Sequence, residues 1–342
     1  MDDALARSEA AGPEPLPPPS SPSSPPTVDV PRPRRSPGQW LQIFVPYIPS
    51  FVPLAIVAAI VVTLVLVTGL APLNGLFTSK FAPTPSSGPA SWGILVFVTG
   101  SFLTAVPALF FSMVIGLGIA IASVVYLPRI VTRFLDPCVD LLAGIPSVVY
   151  GIWAYLYVST YFGSTLNPFL FRNLSWIPGV GGPAPPLSGL GLPISVFILT
   201  LMALPITTLL IRDALRTVPR DLWESGLALG ATRWEVTRRV SIPYGRGGIL
   251  SAAFLGFGRA FGETVAVAMV INVEASYPHN IFQGTGTVAS LMFSILDSAY
   301  GNSQFLAALC YMGLALLAIT LTVNVAGRYF ISKLSATEIA GL

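Results

Sequence analysis

Polar and apolar positions along this chain are gathered into long blocks rather than alternating with a helical or strand period. Six stretches are almost wholly apolar, at about 51–72, 93–127, 137–162, 189–212, 247–272 and 304–331. Each is as long as the roughly 20 residues that an α-helix needs to cross about 30 Å of hydrocarbon. The pattern predicts an all-α polytopic membrane protein with six transmembrane helices. The second block is longer than one crossing requires, so its helix is expected to tilt, to kink near Pro107 or to begin outside the bilayer. The run 288–296 is apolar but too short to cross. It reads as a surface or re-entrant helix, lying on the bundle or touching an external protein that delivers substrate.

Residues 1–38 break this pattern. They carry Pro17-Pro18-Pro19, Pro25-Pro26 and many serines but almost no large apolar side chain, so they cannot bury enough surface to fold. A disordered Pro/Ser-rich tail at 1–38 and a membrane domain at 39–342 follow. The tail has no short apolar core with a small-residue cleavage site, so the first apolar run is expected to stay uncleaved.

The polar blocks also differ in charge. Arg32, Arg34 and Arg35 precede the first span, Arg129 and Arg133 follow the second, seven arginines from Arg212 to Arg246 fill the connection after the fourth, and Arg328 and Lys333 follow the last. The opposite connections hold only Lys80 and Arg172, and 273–303 has neither residue type. Basic loops are retained in the cytoplasm, so both termini are expected there.

Composition narrows the reading further. Hydrophobic residues make up 53% of the chain and charged residues 10%, against about 25% charged in an ordinary globular protein. The mean hydropathy of +0.74 leaves no soluble reading. The net charge of +3 is scattered between apolar runs instead of lying on one polar face, which argues against nucleic-acid binding. His279 is the single histidine, and Cys138 and Cys310 lie inside apolar stretches. A histidine-built metal site and a disulfide framework are therefore not expected.

One polar connection, 213–246, is written as two short helices. Pro219 suits a first helical position, Asp221 and Glu224 place negative charge in the early turns, and Gly230 suits a left-handed terminus. Thr232 with Glu235 forms a capping box that opens the second helix, which is expected to end before Pro243. Leu222, Trp223, Leu227, Leu229 and Trp234 are more apolar surface than a solvated loop displays, so the elbow needs a partner. That partner is either this protein's own bundle or another chain.

The spacing of this elbow resembles a known signature. Glu224-Ser225-Gly226, three residues, Gly230, nine residues, then Val240-Ser241-Ile242-Pro243 is similar to the EAA motif of bacterial ABC-importer permeases, Glu-Ala-Ala, three, Gly, nine, Ile-x-Leu-Pro. Ser225 and Gly226 stand where that family has alanines, and Val240 and Ile242 are conservative exchanges. The resemblance implies that the elbow is a coupling helix docking on an ATPase subunit through Glu224, Ser225, Gly226, Gly230, Ile242 and Pro243. A Walker A loop needs a lysine directly after a glycine. Lys80 follows Ser79 and Lys333 follows Ser332, so ATP hydrolysis is assigned to another chain, and this one is read as non-catalytic.

The fifth span carries charges deep in an apolar run, Arg259 and Glu263. A charge at the bilayer centre costs at least about 2.5–3.5 kcal/mol, and such residues usually mark a pathway. One turn apart, the two are expected to neutralise each other, and Gly258 and Gly262 to admit a close neighbouring helix. Either the pair fixes packing or the arginine meets a substrate. The guanidinium fork suits a tetrahedral oxyanion.

The run from Gly258 to Asn272, with Gly262-Glu263-Thr264-Val265-Ala266-Val267, resembles the PstC-type permease subunits of bacterial phosphate ABC importers, and Ala143-Gly144-Ile145-Pro146-Ser147-Val148-Val149-Tyr150-Gly151 resembles both phosphate permeases. The resemblance, over about 93–335, implies a type I importer permease fold. It also implies a bacterial cytoplasmic-membrane location and phosphate movement by alternating access. Arg259, Glu263, Thr264, Ser147 and Tyr150 would line the substrate pathway, with Glu263 holding Arg259 and keeping its charge from trapping the anion. Implied partners are a second, PstA-like permease, two ATPase subunits carrying ATP and Mg, an external phosphate-binding protein and membrane lipid. No cofactor belongs to this chain itself. Two alternatives stay open at this point: a permease for molybdate, tungstate or sulfate, and an ion-coupled carrier or channel using Arg259 and Glu263 as a relay.

Overall fold

The computed structural model describes residues 47–68, 81–82 and 91–339. The tail at 1–38 and Lys80 lie outside the described residues. The chain divides into two units, Met1–Val57 and Ala58–Leu342. Of the first, the described part is the opening of α1 (Tyr47–Thr68). The second holds a two-residue antiparallel pairing of β1 (Phe81–Ala82) with β2 (Ser91–Trp92) and then helices.

α2 (Ile94–Ile121) runs on through a π-helical turn, Ala122–Tyr126, as one apolar element of 33 residues. Pro107 sits inside it without ending it. With α1, α5 (Leu192–Arg216) and α11 (Ser303–Ile339), it is one of four helices among the described residues that are long and apolar enough to cross a membrane.

Two expected spans are not single helices. In place of a straight helix over 137–162, α3 (Arg129–Gly144) and α4 (Ser147–Leu174) meet at a bend of 90°. Ring contacts of Pro146 push the preceding residue out of the helical region, and Ile145 is extended at φ −72°, ψ 126°. In place of 247–272, α8 (Arg246–Phe261) and α9 (Val265–Val270) are separated by Gly262-Glu263-Thr264. Gly262 still donates to the Gly258 carbonyl at 3.1 Å, but its φ and ψ of −88° and −2° no longer continue the helix.

The core lies where α2, α5 and α8 touch, and small residues make that contact close. A Cβ on Gly116 would meet the Thr207 and Thr208 hydroxyls at 3.1 Å, and one on Gly256 would meet Thr207 Cγ2 at 2.6 Å. The buried Thr207 hydroxyl donates to the Ser112 carbonyl across the helix pair at 3.3 Å. Such small-residue contacts hold apolar helices together where water cannot drive association. The close approaches fall at Gly248, Gly256 and Gly327, not at Gly258 and Gly262 as expected: a Cβ on Gly258 would meet only Asn324, at 3.6 Å. Large side chains such as Phe110 and Tyr157 point outward, as lipid-facing positions do.

α10 (Val288–Ala299) covers the expected short helix. Thr287 and Ser290 cap it reciprocally. Its first turn buries Val288 and Leu291 in a cluster with Trp92, Phe97 and Met312, so it lies on the bundle.

Candidate functional site

The elbow follows the end of α5. α6 (Arg220–Ala228) starts one residue after Pro219, which caps the helix from outside with extended backbone. Its end is a Schellman arrangement: Ala231 N–H donates to the Gly226 carbonyl at 3.3 Å and Gly230 N–H to the Leu227 carbonyl at 2.9 Å. Gly230 takes φ 85° with nothing near its missing Cβ, so glycine is required there for backbone conformation alone. Gly226 has a packing role instead. A Cβ there would come within 2.9 Å of Val236 Cγ2, and Val236 is buried in α7 (Arg233–Val236).

The capping box forms as expected. Thr232 N–H donates to Glu235 Oε2 at 2.8 Å, and Glu235 N–H donates to the Thr232 hydroxyl at 3.3 Å. The backbone N–H of Thr232, and then its hydroxyl, hold the Glu235 carboxyl below its usual range. Pro243 does not end the helical run. A π-helical turn, Thr237–Ser241, leads into Ile242–Tyr244 with Pro243 in its first turn, where a missing N–H costs nothing. Ile242 packs on the cluster of Ile121, Ile211 and Leu215 and so roots the elbow in the bundle. Glu224, Ser225, Leu222, Leu229 and Trp234 stay exposed. Ser225 donates to the Asp221 carbonyl at 2.6 Å. Of the two partners open to this apolar surface, the bundle takes Ile242, Val236 is covered by Gly226 within the elbow, and the exposed side chains stay uncovered.

At the break in the fifth apolar segment, α9 packs on the start of α4. Contact is possible because a Cβ on Gly151 would meet Ala266 Cα at 3.0 Å and Met269 Sδ at 2.7 Å. Tyr150 is buried with Ala266 and Val270, and its hydroxyl spans the α3–α4 bend to donate to the Leu142 carbonyl at 3.0 Å. The Ala143–Gly151 run and the Gly258–Asn272 run therefore meet in space through Tyr150, Gly151, Ala266 and Met269, with Ser147 one turn before Tyr150 at the start of α4.

The expected Arg259–Glu263 pair is corrected. No ion pair joins these two among the described residues. Pairing at that spacing needs an unbroken helix, and α8 stops at Phe261. Glu263 Oε1 instead accepts from Ala266 N–H at 3.5 Å, placing negative charge at the first turn of α9. Arg259 is exposed in this single chain. Thr264 donates to the Gly262 carbonyl at 3.3 Å. It lines an apolar groove with Leu64, Met292 and Phe293, separate from the Tyr150 contact.

A second charged cluster escaped the sequence reading. Buried Arg212 on α5 holds Asp136 on α3 at 2.6 Å, Arg216 reaches the same carboxylate at 3.3 Å, and Asp140 stands 4.0 Å from Arg212. The signal in the sequence is two carboxylates and two arginines, each pair four residues apart, but nothing local links one pair to the other.

The family described as binding-protein-dependent transport system inner membrane component matches residues 112–335. A phosphate transport system permease protein PstC of Mesorhizobium japonicum is 35% identical over 263 residues, covering 76% of this chain and 80% of that protein. PstC 1 of Mycobacterium tuberculosis is also 35% identical, covering 73% and 75%. Among solved structures, a bacterial ABC transporter importing the acidic polysaccharide alginate covers 85% of this chain and 96% of its own, with a TM-score of 0.52 at 14% identity. That likeness speaks to the fold.

Proposed function

The chain belongs to the binding-protein-dependent inner-membrane transport components, among the PstC-type phosphate permeases, and from that premise we propose how its two built regions divide the work. It is the permease subunit of a phosphate ABC importer, a non-catalytic membrane component with the type I permease fold.

Arg259 meets phosphate in the pathway and Tyr150 shapes the wall beside it. The observation that carries this assignment is a guanidinium with no ion pair among the described residues, in the last turn of α8 where the helix breaks before α9. An unpaired arginine among apolar helices is costly unless a substrate anion or water-filled path meets it. Glu263 sets the geometry of the break and does not hold the arginine. The elbow, from α6 to Pro243, transmits the state of an ATPase subunit to the pathway. It is suited to this because its exposed apolar face is held on a rigid Schellman turn and rooted by Ile242. ATP and Mg act on that subunit. A companion PstA-like permease, two ATPase subunits and an external phosphate-binding protein complete the importer. The basic end, which carries the elbow, faces the cytoplasm with both termini.

The test is copurification of the tagged chain with its companions, followed by reconstitution and measurement of uptake. ATP-dependent phosphate uptake that molybdate and sulfate fail to compete is the expected result. Uptake driven by an ion gradient without internal ATP would refute the reading.

A further inference from the structure

Beneath the elbow lies a cavity of about 540 Å³ that the pathway does not use. Its wall is drawn from separate elements: Ser123 in the π turn after α2, Arg129 at the start of α3, Arg216 at the end of α5, Arg220 and Trp223 on α6, and Ser241 in the π turn after α7. Three arginines therefore border one space. Arg216 shares Asp136 with Arg212, while Arg129 and Arg220 have no carboxylate partner among the described residues.

The hydroxyls make this more than a patch of surface arginines. Ser123 is 7% exposed and Ser241 4% exposed. Serines in helices usually donate back to a carbonyl four residues earlier, and several here do, such as Ser251 to Gly247. Ser123 and Ser241 make no side-chain hydrogen bond among the described residues. Both serines line the basic cavity, and their uncommitted hydroxyls are free to bond the oxygens of an anion held there.

We infer that this cavity is a binding site for a phosphate-bearing dianion, either free inorganic phosphate or the phosphomonoester headgroup of a lipid. Two uncompensated guanidiniums match the charge of a dianion, and their forks can share its oxygens with the two hydroxyls. The ligand would join α6 of the elbow to α3 and α5 of the bundle. Occupancy would therefore stiffen the elbow and slow the cycle. Binding stands apart from the importer reading, and only the effect on uptake rests on it.

Hydrogen–deuterium exchange on the assembled complex in nanodiscs tests the site locally. One set of discs is phosphatidylcholine alone, titrated with inorganic phosphate against chloride of equal ionic strength. The other contains phosphatidic acid. Slower exchange across 220–228 and 123–132 on adding phosphate assigns free phosphate, and slower exchange only in phosphatidic acid discs assigns the headgroup. In either case Arg220→Gln, or Arg129→Gln should Arg220→Gln fail to assemble, must raise the half-saturating concentration about ten-fold. That is the factor for losing about 1.4 kcal/mol of charge-assisted hydrogen bonding. Arg259→Gln must leave the protection intact. Absence of protection in both discs, indifference to both elbow-side variants, or equal loss in Arg259→Gln would overturn the proposal, whether or not the complex imports phosphate.

Discussion

The two places where charge enters the apolar bundle are built in opposite ways. At the basic end, Arg212 is buried and held at 2.6 Å by Asp136, which Arg216 also reaches. At the broken fifth segment, Arg259 has no ion pair among the described residues, and the nearby carboxylate of Glu263 turns to the backbone of α9. A paired buried charge fixes how two helices sit, because removing one partner leaves the other desolvated and alone. An unpaired one keeps its hydrogen-bonding capacity for something that comes and goes. The difference separates scaffold from pathway within a single chain.

The largest stability effect should come from breaking the scaffold pair. Asp136→Asn is expected to destabilise the detergent-solubilised chain by about 3–5 kcal/mol, since it leaves Arg212 buried with a weak partner. Asp140→Asn, at 4.0 Å and more than half exposed, should cost under about 1 kcal/mol. Thermal unfolding by intrinsic fluorescence compares the two. Equal losses would erase the distinction between scaffold and bystander carboxylates.

Next in size is the contact of α4 with α9. Gly151→Ala would press a methyl on Ala266 and Met269, an overpacking worth about 1–3 kcal/mol. Because it separates α4 from α9, uptake should fall more than assembly does. Uptake that tracks assembly one for one would mean that the contact is merely structural.

Much of this architecture was legible in the sequence because it is local. The capping box at Thr232 and Glu235, the left-handed Gly230 and the apolar blocks each depend on residues within a few positions of one another. The break after Phe261 was missed because every neighbour of Gly262 is compatible with a continuing helix, and a hydropathy pattern carries no signal for where a backbone turns. The bend at Pro146 had a local cause, but the apolar run on both sides concealed it. Asp136 and Arg212 could not be paired without knowing that α3 lies along α5. Tyr150 and Ala266 are likewise joined by tertiary packing, although both runs drew attention by their resemblance to phosphate permeases.

Gly230→Ala should cost about 1 kcal/mol through its left-handed backbone, with no steric contact involved. It should weaken ATP-stimulated uptake while leaving the 2.6 Å scaffold pair untouched. Reduced uptake at unchanged thermal stability of the bundle is the expected result. A loss of bundle stability as large as that of Asp136→Asn would merge the elbow with the scaffold.

The smallest effect is with pH. Because Glu235 is held below its usual range by Thr232, its contribution is present above the ordinary carboxylate range and fades as pH falls through the lowered value. Exchange at 233–236, corrected for intrinsic rates, should therefore quicken on acidification. Glu235→Gln should flatten that dependence.

The unpaired state of Arg259 is the centre of the comparison, and one variant addresses it. Uptake should be measured in complexes carrying Arg259→Gln that assemble fully and keep basal ATP hydrolysis. Removing a scaffold charge would damage assembly, whereas removing a pathway charge should abolish phosphate uptake and leave assembly and thermal stability as they are, with Arg259→Lys restoring only part because the planar fork is lost. Normal uptake by assembled Arg259→Gln complexes would contradict the account.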